Sequence, residues 1–290
     1  ETRNGFTLAG KILGIIGYGH VGRQVERKAV ALGMQVMIFD PPVRAAALAA
    51  ARNPASGDRD EAASLASRLQ PDLNALLERC DALTLHVPLT KAGPHPTLKL
   101  AGADFFARLA RPIALLNTCR GEVIDDLALN SALDAGKIRH LVLDVFTGEP
   151  DIDQRLCSRA ELITPHIAGY SLQGKLNGTT QVAQAFRRFF GFADSWQPTF
   201  PAPAHPFIDY AGAVSDSAFL HRCVHTAYPI LEDDKRLRDS FLEAGAGKAF
   251  DRQRRDYPVR HEFPAYLLRG LPPEKRELRS RLQALGFRLD

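Results

Sequence analysis

The chain has 290 residues, which is more than one domain usually contains, so two domains with a sizeable core are expected. Its composition, 45% hydrophobic and 24% charged, is ordinary for a globular protein, and no apolar run approaches the roughly 20 residues of a membrane span. A net charge of +4 is too mild for a nucleic-acid-binding protein, and the four cysteines lack metal-site spacing, so we expect no nucleic acid, no membrane, no metal and a cytoplasmic protein with reduced thiols.

The first half of the chain alternates short apolar runs with helical patterns. Residues 11–17 indicate a buried strand, and a glycine turn connects it to a helix that ends near Gly33. A second strand over 36–39 stops at Asp40-Pro41-Pro42, because proline cannot continue a central ladder. Further strands are predicted at 82–86, 113–116, 141–145 and 162–163, with a helix over 125–135. This alternation predicts an α/β fold, a Rossmann-type doubly wound parallel sheet covered on both faces.

The remaining segments suggest how the chain is divided. Residues 45–51 favour a helix and 53–58 a loop, within a 43–70 connection that has no clear pattern. From Ser171 a long amphipathic helix is predicted, and a proline-rich linker follows over 197–206. Helices over 216–227, 231–244 and 273–285 then flank an aromatic stretch at 257–266, as in a small α+β module. The expected divisions are a nucleotide-binding domain over 1–170, the long helix over 171–196 and a C-terminal domain over 197–290.

A glycine-rich motif, Gly17-Tyr18-Gly19-His20-Val21-Gly22, lies between the first strand and the first helix. Its glycines permit a tight turn and close approach of a pyrophosphate, to which the helix N-terminus offers N–H groups. Asp40 ends the next strand 18 residues after Gly22, where an acidic side chain binds ribose hydroxyls and repels a 2′-phosphate. The motif therefore predicts NAD rather than NADP. Two observations leave this choice open. Asp40 could merely cap a turn before the two prolines, and Arg44 lies close enough to make the preference between NAD and NADP less certain.

Three charged side chains follow later predicted strands, each within its own motif. Arg120 lies in Asn117–Gly121, Glu149 in Asp144–Pro150, and His166 in Thr164–Tyr170. Arginine binds a carboxylate bidentately, histidine accepts a hydroxyl proton, and a carboxylate orients and stabilises that histidine. Together these groups are what oxidation of a 2-hydroxy acid requires, so we predict an enzyme with this catalytic set.

Other polar residues near these motifs have two interpretations each. Asp144, at the end of the strand at 141–145, is placed to contact a nicotinamide carboxamide, or to serve a turn or helix cap. Lys175 lies in the first turn of the long helix, where it would add charge for a phosphate, or be a solvated surface lysine. For His86 and Cys119 a packed structural role is favoured over chemistry.

The chain resembles the D-isomer-specific 2-hydroxyacid dehydrogenase family over roughly residues 8–192. The segments that carry the resemblance are GYGHVG, HVPLT, NTCRG, DVFTGEP and TPHIAG. It implies NAD as cofactor, Arg120, Glu149 and His166 as catalytic residues, and substrate contacts from Arg120, Tyr170 and Lys175. The cofactor-binding residues that it implies, together with the glycine motif and Asp40, are Gly17, Gly19, His20, Val21, Gly22, Asp40, Val87, Thr118, Cys119, Arg120, Asp144 and Gly169.

Details favour one branch of the family, which works in vitamin B6 biosynthesis. GPHPT at 93–97, the run PHIAGYSLQGKLNGTTQ at 165–181 and YPVRHEF at 257–263 resemble that branch. The resemblance implies a small phosphorylated hydroxy acid as substrate, 4-phospho-D-erythronate, and a homodimer formed through the C-terminal domain.

Three departures keep rival hypotheses open. Position 87 is Val where the branch usually has Thr, residues 43–70 are longer than the usual connection, and half a substrate domain normally precedes the nucleotide domain. We expect that half to be missing here and this chain alone to show little activity. The alternatives are another D-2-hydroxyacid dehydrogenase, acting on phosphoglycerate or glyoxylate, and a non-catalytic NAD-binding or dimerisation protein.

Overall fold

The computed structural model describes residues 7–53, 58–192, 197–210 and 215–290. The chain forms two compact units. The first comprises Glu1–His166 together with Leu237–Asp251, and the second comprises Ile167–Arg236 together with Arg252–Asp290. The domain boundaries predicted at 1–170, 171–196 and 197–290 stay predictions.

A parallel sheet dominates the first unit and confirms the predicted Rossmann-type doubly wound fold. Its strands are β1 (Ile12–Ile16), β2 (Gln35–Phe39), β3 (Ala82–Leu85), β4 (Ile113–Asn117), β5 (Ile138–Leu143) and β6 (Leu162–Ile163). They lie in the order β2-β1-β3-β4-β5-β6, and all neighbours are parallel. The helices along this part of the chain are α1 (His20–Ala31), α2 (Pro41–Arg52), α3 (Arg59–Arg68), α4 (Asn74–Arg79), α5 (Ala103–Ala107), α6 (Asp126–Asp134) and α7 (Gln154–Arg159).

The later part of the chain is mainly helical. Its elements are α8 (Leu172–Phe190), β7 (Phe207–Asp209), α9 (Asp216–Ala227), α10 (Ile230–Ala244), α11 (Ala246–Arg255), β8 (Leu267–Arg269), α12 (Arg276–Leu285) and β9 (Arg288–Leu289). The three strands form a small parallel sheet in the order β7-β8-β9. Residues 197–206, where a linker is predicted, contain no helix or strand. No helix in the described ranges combines the length and the apolar character needed to cross a membrane.

The 43–70 connection is more helical than its sequence suggests. The helix expected near residue 45 begins at Pro41, because the Asp40 carboxylate accepts a hydrogen bond from Val43 N at 3.0 Å and proline is tolerated in a first helical turn. The loop expected at 53–58 lies largely outside the described residues. Helices α4, α5 and α7 escaped prediction, since each has six residues or fewer and shows no clear period.

The register of the sheet brings all six strand ends to one level. Five pairs of aligned residues cross it in sequence: Phe39 with Ile16, Ile16 with Leu85, Leu85 with Asn117, Asn117 with Leu143, and Leu143 with Ile163. The residues that follow each strand therefore emerge along a single carboxyl edge. The chain runs outward from β1 to β2 and then crosses to β3 on the other side of β1. That reversal makes the β1–β3 crevice the expected ligand site of such a sheet.

A distant segment, Leu237–Asp251, packs into the first unit. The Phe250 side chain is fully buried, and its ring meets that of Phe146 edge to face with the centroids 6.0 Å apart. Arg238 donates hydrogen bonds to the carbonyls of Cys157 at 2.8 Å and Ala160 at 2.9 Å, at the end of α7. The motif that contains Phe146 is therefore supported by residues about a hundred positions later in the chain.

Replacing Phe250 tests this support. Phe250→Ala removes a fully buried ring and should lower the free energy of unfolding by about 3–5 kcal/mol. The matched control is Leu242→Ala in the same segment, where the parent side chain is 92% exposed and the substitution should change little. Chemical denaturation followed by near-ultraviolet circular dichroism measures both. Equal effects of the two substitutions would contradict the packing described.

Candidate active site

The turn after β1 is built to bring backbone close to backbone. Gly17 has φ +98°, and a Cβ added there would lie 2.4 Å from the carbonyl oxygen of His86. A Cβ on Gly22 would lie 2.2 Å from the carbonyl oxygen of Gly17. Gly19, by contrast, faces open space, with nothing within 4 Å of an added Cβ. The turn is thus closed on the protein side and open at Gly19, immediately before α1, as a pyrophosphate cradle requires.

The open side of this turn is flanked by accessible residues and by Asp40. His20 and Val21, in the first turn of α1, are exposed. The Asp40 carboxylate accepts hydrogen bonds from Tyr18 N at 2.7 Å and from Val43 N at 3.0 Å. Asp40 therefore ties the glycine turn to the end of β2 and also caps α2, so the alternative capping role is real. Its contact with a ribose stays a prediction.

The end of β3 forms the other wall of the crevice. The ring of His86 lies 2.9 Å from the hydroxyl of Thr84 through Nε2, and burial lowers the pKa of His86 to about 4. This histidine is therefore neutral near pH 7, in agreement with a packed structural role. The side chain of Val87 packs against the hydrophobic core that includes Ile16 and Leu85. A Cβ added to Gly17 would lie 2.9 Å from Cγ1 of Val87.

Asn117 organises the loop that carries Arg120. Its side-chain amide donates to the carbonyl of Arg120 at 2.9 Å, and its oxygen accepts from Cys119 N at 3.1 Å. Burial raises the pKa of the Cys119 thiol, which fits a structural cysteine rather than a nucleophile. Thr118 is half-buried and Arg120 exposed, with Arg120 Nη1 2.5 Å from the Cys119 carbonyl.

Glycine also lets the loop after β4 touch the loop after β5. A Cβ on Gly121 would lie 1.9 Å from the carbonyl carbon of Phe146. Phe146 N in turn donates to Glu149 Oε1 at 2.9 Å. Phe146 therefore contacts both Gly121, the residue after Arg120, and the carboxylate of Glu149.

Glu149 and His166 form a hydrogen-bonded pair. Glu149 Oε2 lies 2.7 Å from His166 Nδ1, and both side chains are largely buried. His166 has φ +55°, a conformation that costs a non-glycine residue roughly 1–3 kcal/mol and is concentrated at functional sites. The bond from Nδ1 to a carboxylate orients the ring, which is the arrangement that a histidine acting as general base through Nε2 requires. The catalytic role of His166 stays a prediction.

Asp144 is buried beside Thr164, which our sequence interpretation did not single out. The Thr164 hydroxyl donates to Asp144 Oδ1 at 2.5 Å, and both residues are at most 5% exposed. Thr164 and Asn117 were visible in the motifs TPHIAG and NTCRG, but a buried hydrogen-bonding role has no signal in a single sequence.

The substrate residues predicted beyond His166 belong to the second unit. Tyr170 and Lys175 are in contact there, with the Lys175 ammonium 4.4 Å from the centre of the Tyr170 ring. Gly169 is exposed, and nothing lies within 4 Å of an added Cβ. Arg260, another residue that was not predicted, donates to the carbonyls of Ile167 at 3.0 Å and Ala168 at 3.3 Å. It thereby holds the backbone that follows His166.

Comparison with known proteins identifies the family. Residues 1–168 match the model of the D-isomer specific 2-hydroxyacid dehydrogenase, NAD binding domain. The chain belongs to this family. NAD is therefore the cofactor of the first unit, and the glycine turn with its open side at Gly19 fits that group. Residues 199–286 match a second family model, described as a domain of unknown function.

Relatives extend the similarity over most of the chain. An erythronate-4-phosphate dehydrogenase from Edwardsiella ictaluri is 39% identical over 263 residues, covering 90% of this chain and 64% of that protein. One from Porphyromonas gingivalis is 38% identical over 280 residues, covering 95% of this chain and 69% of that protein. Among solved structures, D-mandelate dehydrogenase from Rhodotorula graminis is similar at 28% identity and a TM-score of 0.51, covering 63% of this chain and 49% of that one. The chain thus spans about two thirds of the length of these sequence relatives.

Two glycine substitutions separate binding from folding at the turn. Gly19→Ala places its methyl group in open space, so it should unfold at the same denaturant concentration as the parent chain. It should nevertheless bind NADH at least about tenfold more weakly, equivalent to ~1.4 kcal/mol, because the methyl group blocks close approach of the pyrophosphate. Gly22→Ala should lose stability as well, since its Cβ meets the Gly17 carbonyl. Fluorescence titration measures the NADH affinity of each variant, and chemical denaturation measures its stability. An unchanged NADH affinity in Gly19→Ala would mean that the dinucleotide binds elsewhere.

Proposed function

We propose that the protein oxidises 4-phospho-D-erythronate with NAD, giving (R)-3-hydroxy-2-oxo-4-phosphooxybutanoate, a step in the biosynthesis of pyridoxal 5′-phosphate (vitamin B6). The observation that carries the reaction class is the Glu149–His166 pair at the carboxyl edge of an NAD-binding sheet, with Glu149 on a loop that adjoins the loop of Arg120. The substrate is supported by the erythronate-4-phosphate dehydrogenases that align with 90% and 95% of the chain. The motifs around Tyr170 and Lys175 agree with it.

Each residue has a distinct role in this proposal. Arg120 binds the substrate carboxylate bidentately and turns C2 toward the cofactor. His166 accepts the proton of the C2 hydroxyl through Nε2, and Glu149 stabilises the imidazolium that results. The bound NAD would supply the acceptor for the hydride that leaves C2. Tyr170 contacts the substrate, and Lys175 adds a positive charge for its phosphate.

The cofactor contacts proposed for the first unit follow the carboxyl edge of the sheet. The glycine turn with His20 and Val21 would hold the pyrophosphate, Asp40 the adenosine ribose, and Asp144 the nicotinamide carboxamide. Val87, Thr118 and Cys119 would add backbone contacts, and Gly169, from the second unit, is proposed as a further cofactor residue. Asp40 also supports NAD over NADP, because two backbone hydrogen bonds hold its carboxylate beside the glycine turn, and a carboxylate there repels a 2′-phosphate.

The reaction is tested by NAD reduction at 340 nm with 4-phospho-D-erythronate, D-3-phosphoglycerate, glycolate and D-lactate. The assay is run on this chain and on the longest polypeptide that its gene encodes. We expect turnover of phosphoerythronate in preference to the other acids, and a loss of at least ~10²-fold in His166→Asn, since a positioned base contributes about 10²–10⁴. Asparagine tolerates the positive φ of residue 166, so that NADH binding should persist as the control. Preference for another acid would reject the substrate hypothesis. NADH binding without turnover by either polypeptide would reject the catalytic hypothesis.

We further propose a cytoplasmic homodimer that forms through the C-terminal domain, residues 197–290. The dimer is supported by the resemblance of YPVRHEF and its surroundings. The cytoplasm is supported by the four buried cysteines, whose spacing in the sequence predicts no disulfide framework. Light scattering on the purified chain should give twice its mass of 31.9 kDa at micromolar concentration. A single chain mass at that concentration would refute the dimer.

A further inference from the structure

We propose that Thr164 is a positioning residue for the nicotinamide end of the cofactor, acting through the carboxylate of Asp144. This inference rests on the role of Asp144 in the proposed function. Thr164 Oγ1 lies 2.5 Å from Asp144 Oδ1, and the two residues are 5% and 3% exposed. The hydroxyl is the only possible donor of the two groups when Asp144 is ionised, so it donates to a charged acceptor out of water, where such hydrogen bonds are strongest.

The backbone holds both partners at the same level of the sheet. Asp144 N donates to the Asn117 carbonyl at 2.9 Å, and Thr164 N donates to the Leu143 carbonyl at 2.9 Å. Each residue is therefore the first after its strand and is still bonded to the neighbouring strand. Because the two backbones are fixed, the threonine hydroxyl fixes the rotation of the carboxylate about its Cβ–Cγ bond. A carboxylate whose plane is fixed presents its second oxygen in one direction, which is what recognition of a planar carboxamide needs.

The same residue also anchors the backbone of the general base. His166 N donates to the Thr164 carbonyl at 3.1 Å, across the turn in which His166 adopts φ +55°. Thr164 thus contacts Asp144 through its side chain and His166 through its main chain. Asp144, proposed to orient the nicotinamide, and His166, proposed to accept the proton, are thus both hydrogen-bonded to Thr164. These two hydrogen bonds limit how far the Asp144 carboxylate and the His166 backbone can move apart.

The test compares two ligands that differ in the nicotinamide alone. NADH contains it, whereas ADP-ribose lacks it and keeps the adenosine, pyrophosphate and second ribose. Thr164→Val removes the hydroxyl and keeps the shape, so it should weaken NADH at least about tenfold and leave ADP-ribose within about twofold. Thr164→Ser keeps the hydroxyl and should bind both ligands as the parent does. Calorimetric titration of each variant, after its melting temperature is recorded, supplies the four affinities.

A second pair of variants shows whether the effect passes through Asp144. In an Asp144→Ala background, adding Thr164→Val should cause no further change in the ratio of NADH to ADP-ribose affinity. Should Thr164→Val fail to fold, Thr164→Ala replaces it in both comparisons.

The outcomes distinguish this inference from the proposed function. Equal weakening of both ligands, or no weakening, in Thr164→Val would overturn the role of Thr164 while leaving the cofactor site in place. A loss that persists unchanged in the Asp144→Ala background would show that Thr164 acts without Asp144, and would also overturn the inference. A parent chain that binds neither ligand would overturn the proposed cofactor site, and the role of Thr164 with it.

Discussion

The hydrogen bonds that keep six parallel strands in register are the constraint on which the site depends. Through them Phe39, Ile16, Leu85, Asn117, Leu143 and Ile163 form one row across the sheet. Each motif of the first unit begins with the residue after a member of that row, except the motif with Arg120, which begins at Asn117 in the row itself. A slip of one residue would turn each following side chain to the opposite face. The apolar residues of the strands, buried on both faces, therefore specify the site as strongly as the polar residues that form it.

Close contacts between the loops that follow the strands restrict the conformations of those loops and of the site residues on them. Glycine is required where one loop meets another, at Gly17 against the end of β3 and at Gly121 against Phe146. The ring of Phe146 packs against the ring of Phe250, and the backbone N–H of Phe146 donates a hydrogen bond to the Glu149 carboxylate. Such packing can maintain His166 in a conformation that a free peptide would avoid. Rigidity of this kind matters for catalysis, because a reacting group displaced by 1 Å loses much of its effect.

The sequence was sufficient for the parts of the structure that are local. Apolar runs predicted where the strands lie, although β5 begins at Ile138 and ends at Leu143 rather than covering the predicted 141–145, because Arg139 and His140 interrupt the apolar pattern. The motifs that contain Arg120, Glu149 and His166 were predicted at the ends of these strands. Features that depend on distant partners were not predictable. Phe250 and Arg238 return to the first unit from far along the chain, and Arg260 bonds the Ile167 carbonyl across 93 positions. Thr164 was overlooked for a related reason, since a threonine before a proline has no pattern that reveals a buried carboxylate beside it.

The central claim is that one edge of the sheet both binds the dinucleotide and carries the proton acceptor. A crystal structure of the chain with NADH tests it most directly. The account predicts density for the pyrophosphate over Gly19 and the start of α1, with the nicotinamide carboxamide bonded to Asp144 and the Glu149–His166 pair intact. A dinucleotide bound away from the β1–β3 crevice, or a nicotinamide that does not reach Asp144, would contradict it.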